Sequence, residues 1–406
     1  MNTTQRKPLL PGVATSAEGR PTTLGVLGGG QLGRMFVHAA QAMGFRTVVL
    51  DPDAFSPAGQ IAHHHIETDY ADAEGLAAMA RLCDAVTTEF ENVPAQSLET
   101  LAQAVPVAPA AAAVAAAQDR SIEKAHMAST ADVSGVGPGP HAVLHAGQAL
   151  PQIEADLFPA ILKTARLGYD GKGQITVARA EDLPHAWAQL HQVDAVLEQR
   201  LPLRDECSVI LARGRDGHVV HMPVQRNWHH QGILAVTEVA PDLLPAALTE
   251  QAIAAATAIA ESLDYVGVLC AEFFVVDDGS ANGHLVVNEM APRPHNSGHY
   301  SMDACDVSQF ELQVRAMADL PLFTPRLHSP AIMLNILGDV WFDKDQLRVP
   351  AWDEVLALPG VHLHLYGKIE ARMGRKMGHI NITAETLAQA RETAARVQAL
   401  LNLPRP

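Results

Sequence analysis

Cysteine is scarce in this sequence, and no two cysteines stand close enough to form a motif. Four cysteines are spread over 406 residues, and most of them lie in apolar runs. Without a C-x-x-C pair, the sequence predicts neither a cysteine-based zinc site nor a disulfide framework. Unpaired cysteines are typical of proteins in a reducing compartment, so we expect a cytoplasmic protein.

Long apolar runs and an excess of positive charge are also missing. No run reaches the length of a membrane span, and residues 1–22 lack the apolar core of a signal peptide. The formal net charge is −16, which argues against a general nucleic-acid-binding protein and against one that binds anionic membranes. We therefore expect small-molecule substrates, with neither nucleic acid nor membrane as a partner. We expect residues 1–22 to form a flexible tail.

The chain is long enough for two or three domains, and the first begins with a glycine-rich turn. The apolar residues 24–27 predict a strand, and the GGGQLG of residues 28–33 then leads into a helix. A second strand ends at Asp51, at the spacing of a dinucleotide-binding fingerprint. The alternation of strands and helices predicts a parallel sheet. Two interpretations stay open here: an NAD-linked oxidoreductase, or a glycine turn whose helix amides hold another phosphate or none.

A second glycine-rich segment predicts a flap in the middle of the chain. Residues 158–163, which end in Lys163, and residues 175–177 read as strands, and GYDGKGQ at 168–174 joins them. The segment has no Walker signature, but a basic, glycine-rich loop between two strands suits a mobile cover over phosphates. An ordinary hairpin with surface charges is the alternative. Further on, residues 227–232 predict a polar turn.

Two carboxylates occupy apolar strands on either side of residue 280. Residues 268–276 and 285–290 predict a hairpin, with Glu272 in the first strand and Glu289 in the second. Strict alternation places Glu289 on the same face as Val287. Pairing the strands can bring the two carboxylates together, and a Mg²⁺ ion would offset their repulsion. Two solvated carboxylates that pair with surface arginines are the alternative.

Two further segments have an anion-binding composition. Residues 292–299, PRPHNSGH, place a cation, two imidazoles, an amide and a hydroxyl on a proline-stiffened loop directly after the carboxylate pair. Nearer the C-terminus, basic residues cluster on a glycine-rich stretch, namely Lys368, Arg372, Arg375, Lys376 and His379. The cluster predicts a phosphate site, and a solvated basic face is the alternative.

Taken in order, these motifs resemble the ATP-grasp superfamily, and within it the 5-(carboxyamino)imidazole ribonucleotide synthase family. The likeness rests on GGGQLGR at 28–34, GYDGKGQ at 168–174, NEMAPRPHNSGH at 288–299 and HLYGKIEARMGRKMGHIN at 364–381. It implies an α/β and α+β fold with a Rossmann-like domain over 23–118, an ATP-grasp domain with a mobile flap over 119–325, and a small C-terminal domain over 326–406. It also implies that the glycine turn helps to hold a phosphoribosyl substrate and binds no dinucleotide.

The resemblance implies an activity as well. It is the ATP- and bicarbonate-dependent carboxylation of the exocyclic amine of 5-aminoimidazole ribonucleotide through carboxyphosphate, a step of purine biosynthesis. ATP and Mg²⁺ would be the cofactors, the enzyme would be a homodimer, and the product would pass to a mutase of the same pathway. Many ATP-grasp enzymes carry Asn two residues after the second metal carboxylate, where this chain has Ala291. That departure suits this family, while another ATP-grasp ligase and a non-catalytic nucleotide sensor stay open as alternatives.

Site residues follow from the same resemblance. The metal ligands would be Glu272 and Glu289. ATP would contact Arg120, Lys163, Gly168, Tyr169, Asp170, Gly171, Lys172, Gly173, Gln174, Glu198, Gln199, Arg200, Leu201, Glu206, His229, Asn288 and Glu289. The ribonucleotide would face Gln31, Leu32, Glu89, Tyr169, Asp170, Arg293, Lys368 and Arg375. Bicarbonate would be held by Arg293, His295 and Asn296. Lys163 would offset charge on the transferred phosphoryl group, and Asp170 or His295 would be the base for the amine.

Overall fold

A computed structural model describes residues 7–14, 19–166, 168, 173–344 and 346–406. The N-terminal part is a four-stranded parallel sheet in the order β3-β2-β1-β4. Its elements are β1 (Thr23–Leu27), α1 (Gln31–Ala42), β2 (Arg46–Leu50), β3 (His64–Ile66), α2 (Ala73–Leu82), β4 (Ala85–Thr88), α3 (Ala95–Ala102) and α4 (Ala111–Ala117). The alternation of apolar strands and amphipathic helices therefore predicted the parallel sheet correctly.

A small antiparallel sheet in the order β5-β8-β6-β7 carries the flap strands. It follows the long helix α5, and the elements are α5 (Arg120–Ser134), β5 (His141–Leu144), β6 (Ala160–Thr164), β7 (Gln174–Val177), α6 (Leu183–Gln189) and β8 (Ala195–Gln199). The predicted hairpin is confirmed, with Lys163 opposite Gln174. The predicted flap residues Tyr169, Asp170, Gly171 and Lys172 lie outside the described residues.

One nine-stranded sheet forms the remainder of the chain, in the order β14-β13-β9-β11-β12-β15-β19-β18 with β10 beside β9. The first elements of this region are β9 (Leu203–Arg213), β10 (Val219–His221), β11 (Gln225–His230), β12 (Ile233–Val239), α7 (Ala246–Ser262), β13 (Gly267–Val276), β14 (His284–Ala291), α8 (Ser301–Ala304) and α9 (Gln309–Met317). The later elements are β15 (Ala331–Leu337), β16 (Phe342–Asp343), β17 (Gln346–Leu347), α10 (Trp352–Leu356), β18 (Val361–Leu365), β19 (Lys376–Thr383) and α11 (Leu387–Leu401), of which β16 and β17 form a separate two-stranded sheet. Because β12 pairs with β15, the sheet crosses the predicted boundary at 325. No helix within the described ranges has the length and apolar character needed to cross a membrane.

The predicted polar turn at residues 227–232 was wrong, because most of it is strand β11. Asn227 is buried, donates to Ser208 Oγ at 2.8 Å and accepts from Thr237 Oγ1 at 2.9 Å. Side chains on the neighbouring strands thus satisfy its amide, so the polar sequence can lie inside a sheet. The turn itself is confined to Gln231 and Gly232, which have φ angles of 52° and 78°.

The described part of residues 1–22 is bound to the body of the protein, which corrects the expected flexible tail. The Leu9 amide donates to the Ala318 carbonyl at 2.8 Å. Arg20 forms an ion pair of 2.8 Å with Asp84. These contacts join residues far apart in sequence, so composition alone could not reveal them.

Helix α9 connects the N-terminal sheet to the large sheet through Gln313, which is 1 % exposed. Its Oε1 accepts from the Val268 amide at 2.6 Å, and its Nε2 donates to Thr87 Oγ1 at 2.9 Å and to the Ala108 carbonyl at 3.3 Å. One side chain therefore satisfies buried polar groups of two sheets, and its loss would leave all of them without partners.

We expect Gln313→Leu to lower the free energy of unfolding by about 2–4 kcal/mol, because three buried polar groups lose their hydrogen bonds. Urea unfolding followed by tryptophan fluorescence measures this change. The exposed Gln96, on α3, provides a control whose Gln→Leu change should cost less than about 0.5 kcal/mol. Equal losses in both variants would contradict the bridging role of Gln313.

Candidate active site

The two predicted metal carboxylates face each other across strands β13 and β14. Glu272 is the register partner of Glu289, and both line the same cleft. The register shifts here: Phe273 pairs with Val287, so Asn288 is an extra, bulged residue. Val287 packs in the apolar core, whereas Glu289 does not, so the predicted shared face of these two residues was wrong. The bulge rotates Glu289 towards Glu272, which strict alternation would not do.

The carboxylate pair is electrostatically uneven. Burial, followed by the nearby Glu289 carboxylate, raises the pKa of Glu272 to about 8. Burial also acts on Glu289, but Arg120 and Lys163 outweigh it and hold its pKa below the ordinary value. Glu272 Oε1 is buried and accepts no hydrogen bond from the described residues. A buried acidic oxygen without a donor, beside a second carboxylate, fits a divalent cation with hard oxygen ligands.

A row of cations borders the carboxylate pair on the side of the flap. Arg120 Nη1 lies 3.2 Å from Glu289 Oε2, and Arg120 Nη2 donates to the Gly168 carbonyl at 3.3 Å. Lys163 and Lys124 approach one carboxylate, Glu198, at 2.9 and 3.5 Å. Burial opposes the ionisation of Glu198, but Lys163 and then Lys124 lower its pKa below the ordinary value. The arrangement holds three cations close together, as phosphate binding requires.

Glu206 and His229 form an ion pair in the cleft, on the adjacent strands β9 and β11. His229 Nδ1 lies 2.7 Å from Glu206 Oε2. Burial opposes the protonation of His229, but the carboxylate of Glu206 outweighs it and raises the pKa of the imidazole. An ionised carboxylate at this position can accept hydrogen bonds from hydroxyl groups of a ligand.

Arg293 and His295 also line the cleft, with His295 near Glu272. Arg293 Nε donates to Glu91 Oε2 at 2.6 Å. Burial alone would raise the pKa of Glu91, but Arg293 outweighs it and lowers the pKa to about 2. His295 Nε2 lies 3.5 Å from Glu272 Oε1, and burial and then Arg293 hold the His295 pKa well below its ordinary value. The neighbouring Asn296 is 9 % exposed, and its amide has no partner among the described residues.

The glycine turn at residues 28–33 already holds carboxylates of this chain. Glu89 accepts from the amides of Gly30 and Gly33, the second at 2.6 Å. Asp51 accepts from the Gly29 amide at 2.6 Å and from the Tyr70 hydroxyl at 2.6 Å. A dinucleotide would need these amides for its pyrophosphate and Asp51 for its ribose. The NAD-linked alternative is therefore wrong for this turn.

The predicted basic cluster separates into three environments. His379 is fully buried and stacks on His364 with ring centroids 4.6 Å apart. It is therefore a core residue, so its inclusion in the predicted phosphate-binding cluster was wrong. Lys368 donates to the Lys376 carbonyl at 2.6 Å, and Arg375 donates to the Glu370 carbonyl at 3.0 Å. Lys376, which the resemblance did not single out, lines the cleft.

The cleft has a volume of about 380 Å³, and it gathers many of the predicted site residues. Those that line it are Arg120, Lys163, Gly168, Gly173, Gln174, Glu206, His229, Glu272, Asn288, Glu289, Arg293 and His295. Predicted residues that lie outside its lining are Gln31, Leu32, Glu89, Glu198, Gln199, Arg200, Leu201, Asn296, Lys368 and Arg375. Sequence reasoning missed Glu91, Gln118, Glu123 and Phe274, and it placed Lys376 only within the basic cluster. Of these, Glu91 lies in an acidic run, EFENVP, which was a usable signal.

Three family models match successive parts of the chain. They are the ribonucleotide synthetase preATP-grasp domain over residues 21–118, the ATP-grasp domain over 135–310, and the phosphoribosylaminoimidazole carboxylase C-terminal domain over 331–393. Together they cover most of the chain in the order that the sequence motifs follow.

Individual relatives agree with these matches. An N5-carboxyaminoimidazole ribonucleotide synthase of Brucella melitensis is 42 % identical over 88 % of this chain and 95 % of its own length. One of Bacillus subtilis is 37 % identical over 88 % and 90 %. An ADP complex of an N5-carboxyaminoimidazole ribonucleotide synthetase superposes with a TM-score of 0.85 at 36 % identity, covering 97 % of this chain and 98 % of the other. An Aspergillus clavatus enzyme with ADP and 5-aminoimidazole ribonucleotide gives 0.82 at 29 %, covering 94 % and 98 %.

Proposed function

The chain belongs to the N5-carboxyaminoimidazole ribonucleotide synthases, which are ATP-grasp ligases, and from this membership we propose how its cleft works. The reaction is the ATP-dependent carboxylation of 5-aminoimidazole ribonucleotide with bicarbonate in purine biosynthesis. One observation supports the assignment of the chemistry to this cleft: Glu289 of the carboxylate pair contacts Arg120 at 3.2 Å, and its partner Glu272 lies 3.5 Å from His295. The cations that would bind the ATP phosphates and the residues that would bind bicarbonate are thus both next to the proposed magnesium ligands.

ATP binds on the flap side of the cleft. Glu272 and Glu289 would hold Mg²⁺, which offsets the negative charge of the phosphates during transfer. Arg120 and Lys163 neutralise further phosphate oxygens, and Glu206 accepts hydrogen bonds from the ribose hydroxyls. The described residues at the two ends of the flap, Gly168 and Gly173, border the same space, as a cover that keeps water from the phosphates requires.

Bicarbonate binds between Arg293 and His295. Its oxygen attacks the γ-phosphorus of ATP, ADP leaves, and the product is carboxyphosphate. The amine nitrogen of the ribonucleotide then attacks the carboxyl carbon, and phosphate leaves. We assign the resulting proton to His295, because its imidazole lines the cleft and its Nε2 lies 3.5 Å from Glu272 Oε1.

An assay of phosphate release tests the proposal directly. Release of phosphate from ATP should require bicarbonate and 5-aminoimidazole ribonucleotide together, and the carboxylated amine should form in equal amount. A different ATP-grasp ligase would release phosphate only with another amine acceptor. Fast phosphate release without the ribonucleotide would contradict the proposed coupling.

The family resemblance also supports three proposals about context. The enzyme works in the cytoplasm, it forms a homodimer, and it passes its product to a mutase. Sedimentation of the purified protein tests the dimer. A monomer at micromolar concentration would contradict it without affecting the assignment of the chemistry.

A separate prediction concerns the phosphate of the ribonucleotide. If Arg375 binds this phosphate, Arg375→Ala should raise KM for the ribonucleotide about tenfold or more and leave KM for ATP almost unchanged, because binding energy is lost at one site only. Steady-state kinetics with each substrate varied measures the split. Arg372, which pairs with Glu370 at 2.8 Å on the same loop, is the matched control for the loss of a positive charge. Equal changes in both KM values would contradict this role.

A further inference from the structure

We propose that Cys270, Glu272 and His295 form a zinc-binding site at the floor of the cleft, distinct in chemistry from the magnesium site. Cys270 and Glu272 are two residues apart on β13, so their side chains point to the same face of the sheet. One ligand atom from each of the three residues lies within 4.8 Å of the others. All three are more than half buried, and Glu272 and His295 line the cleft.

The spacing is close to that of a tetrahedral site. Zinc bonds of about 2.0–2.3 Å place neighbouring ligand atoms roughly 3.3–3.8 Å apart. His295 Nε2 and Glu272 Oε1, at 3.5 Å, already lie in this range. The other ligand atoms must move closer by about an ångström to reach tetrahedral spacing. Cys270 is fixed in a central strand, so the side chains of Glu272 and His295, which line the cleft, would make this movement.

The donor set favours zinc over magnesium. A thiolate and an imidazole are ligands of borderline-soft ions, whereas Mg²⁺ prefers oxygen. His295 Nδ1 is engaged by Ser297, whose hydroxyl lies 2.9 Å away and whose amide donates to it at 3.4 Å, so Nε2, the nitrogen near Glu272 Oε1, is the one left for a metal. Glu272 Oε1, which accepts no hydrogen bond from the described residues, provides the carboxylate. On binding, the thiol releases its proton to solvent, and a water from the cleft completes the tetrahedron.

Occupation of this site would inhibit the enzyme. Zinc would remove Glu272 from the magnesium pair and His295 from bicarbonate, while Cys270 has no part in the proposed reaction. Nucleotide-free enzyme should therefore be the sensitive form, and Mg²⁺ with ATP should protect it. The sequence does not reveal this site as a cysteine motif, because its ligands are separated along the chain. Cys270 and Glu272 lie on β13, and His295 lies in the loop that follows β14.

Metal binding to the full-length, nucleotide-free protein tests the proposal without relying on activity. The probes are Zn²⁺, measured with a competing chromogenic chelator, and Co²⁺, whose bond to a thiolate gives a charge-transfer band in the near ultraviolet. Cys270→Ala removes the sulfur ligand. Cys207→Ala is the matched control, because Cys207 is equally buried on the adjacent strand β9 but its register partner is Phe273, so its side chain lies on the face of the sheet opposite Cys270 and Glu272.

We expect the wild-type protein and Cys207→Ala to bind one Zn²⁺ and to show the cobalt–thiolate band. Cys270→Ala should lack the band and should bind zinc at least about 100-fold more weakly. Loss of a residue that only hydrogen-bonds a metal ligand lowers affinity by about 10- to 100-fold, so a larger loss identifies Cys270 as a ligand itself. The ratio of activity with zinc to activity without it should rise in Cys270→Ala alone. Equal zinc affinity in Cys270→Ala, or no cobalt–thiolate band in the wild type, would overturn the site, and either result would leave the carboxylase assignment intact.

Discussion

The substitution Glu289→Gln should reduce turnover on the order of 10³-fold while the protein stays folded. The change keeps the size of the side chain but removes one of the two charges that face a metal across β13 and β14. It also deprives Arg120 of its ion pair at 3.2 Å, so a phosphate-binding cation loses its position. Because the metal acts on charge that develops during phosphoryl transfer, the loss should appear mainly in kcat.

Steady-state rates at increasing Mg²⁺ measure the effect, and circular dichroism verifies the fold. Glu261→Gln, an exposed glutamate at the end of α7, is the control for a lost surface charge and should keep wild-type kinetics. Full recovery of turnover in Glu289→Gln at excess Mg²⁺ would show that the carboxylate is not needed once the ion is bound, and the assignment would fail.

The substitution Arg293→Ala should lower the rate of bicarbonate-dependent ATP hydrolysis by at least about 10²-fold. The guanidinium is held by Glu91 at 2.6 Å, beside His295 and close to the metal pair, so it can orient a small anion for attack on the γ-phosphate. Without it carboxyphosphate does not form. Glu91 would also become a partly buried carboxylate without its ion pair, which adds a stability cost of about 1 kcal/mol.

A comparison of two variants separates the half-reactions. Asp170→Ala should still hydrolyse ATP in the presence of bicarbonate but should yield little carboxylated product, because the intermediate decays unused. Arg293→Ala should do neither. Phosphate and carboxylated product measured side by side distinguish these outcomes, and Arg293→Ala/Glu91→Ala controls for the unpaired carboxylate. Wild-type phosphate release in Arg293→Ala would refute the assignment of this residue to the first half-reaction.

Several features could be predicted because their signals are local. The glycine turn at 28–33, the flap hairpin around Lys163 and the hairpin of β13 and β14 each combine turn residues with apolar runs of the right length. These patterns depend on which residues are buried within one element, so they can be read without knowledge of the neighbours. The order of the motifs was enough to identify the family, and the comparisons confirm it.

Other features depend on how distant segments meet. The bulge at Asn288 brings Glu289 to the face of Glu272, and only the register between two strands reveals it. The N-terminus of α1 holds Glu89, so the fingerprint that suggested NAD binding describes a turn closed by a carboxylate of the same chain. Spacing along the chain cannot report this, because the ligand of the amides comes from another strand.

The different environments of Lys376 and His379 also could not be predicted from the sequence. Both lie in one short basic run, yet β19 places Lys376 at the cleft and His379 among buried rings. The sequence alone determined that the chain has a glycine-turn sheet, a flap and a carboxylate hairpin, since each follows from local periodicity. Only the tertiary structure decided which charges share the cleft, because burial and strand register are properties of segments that are far apart in the chain.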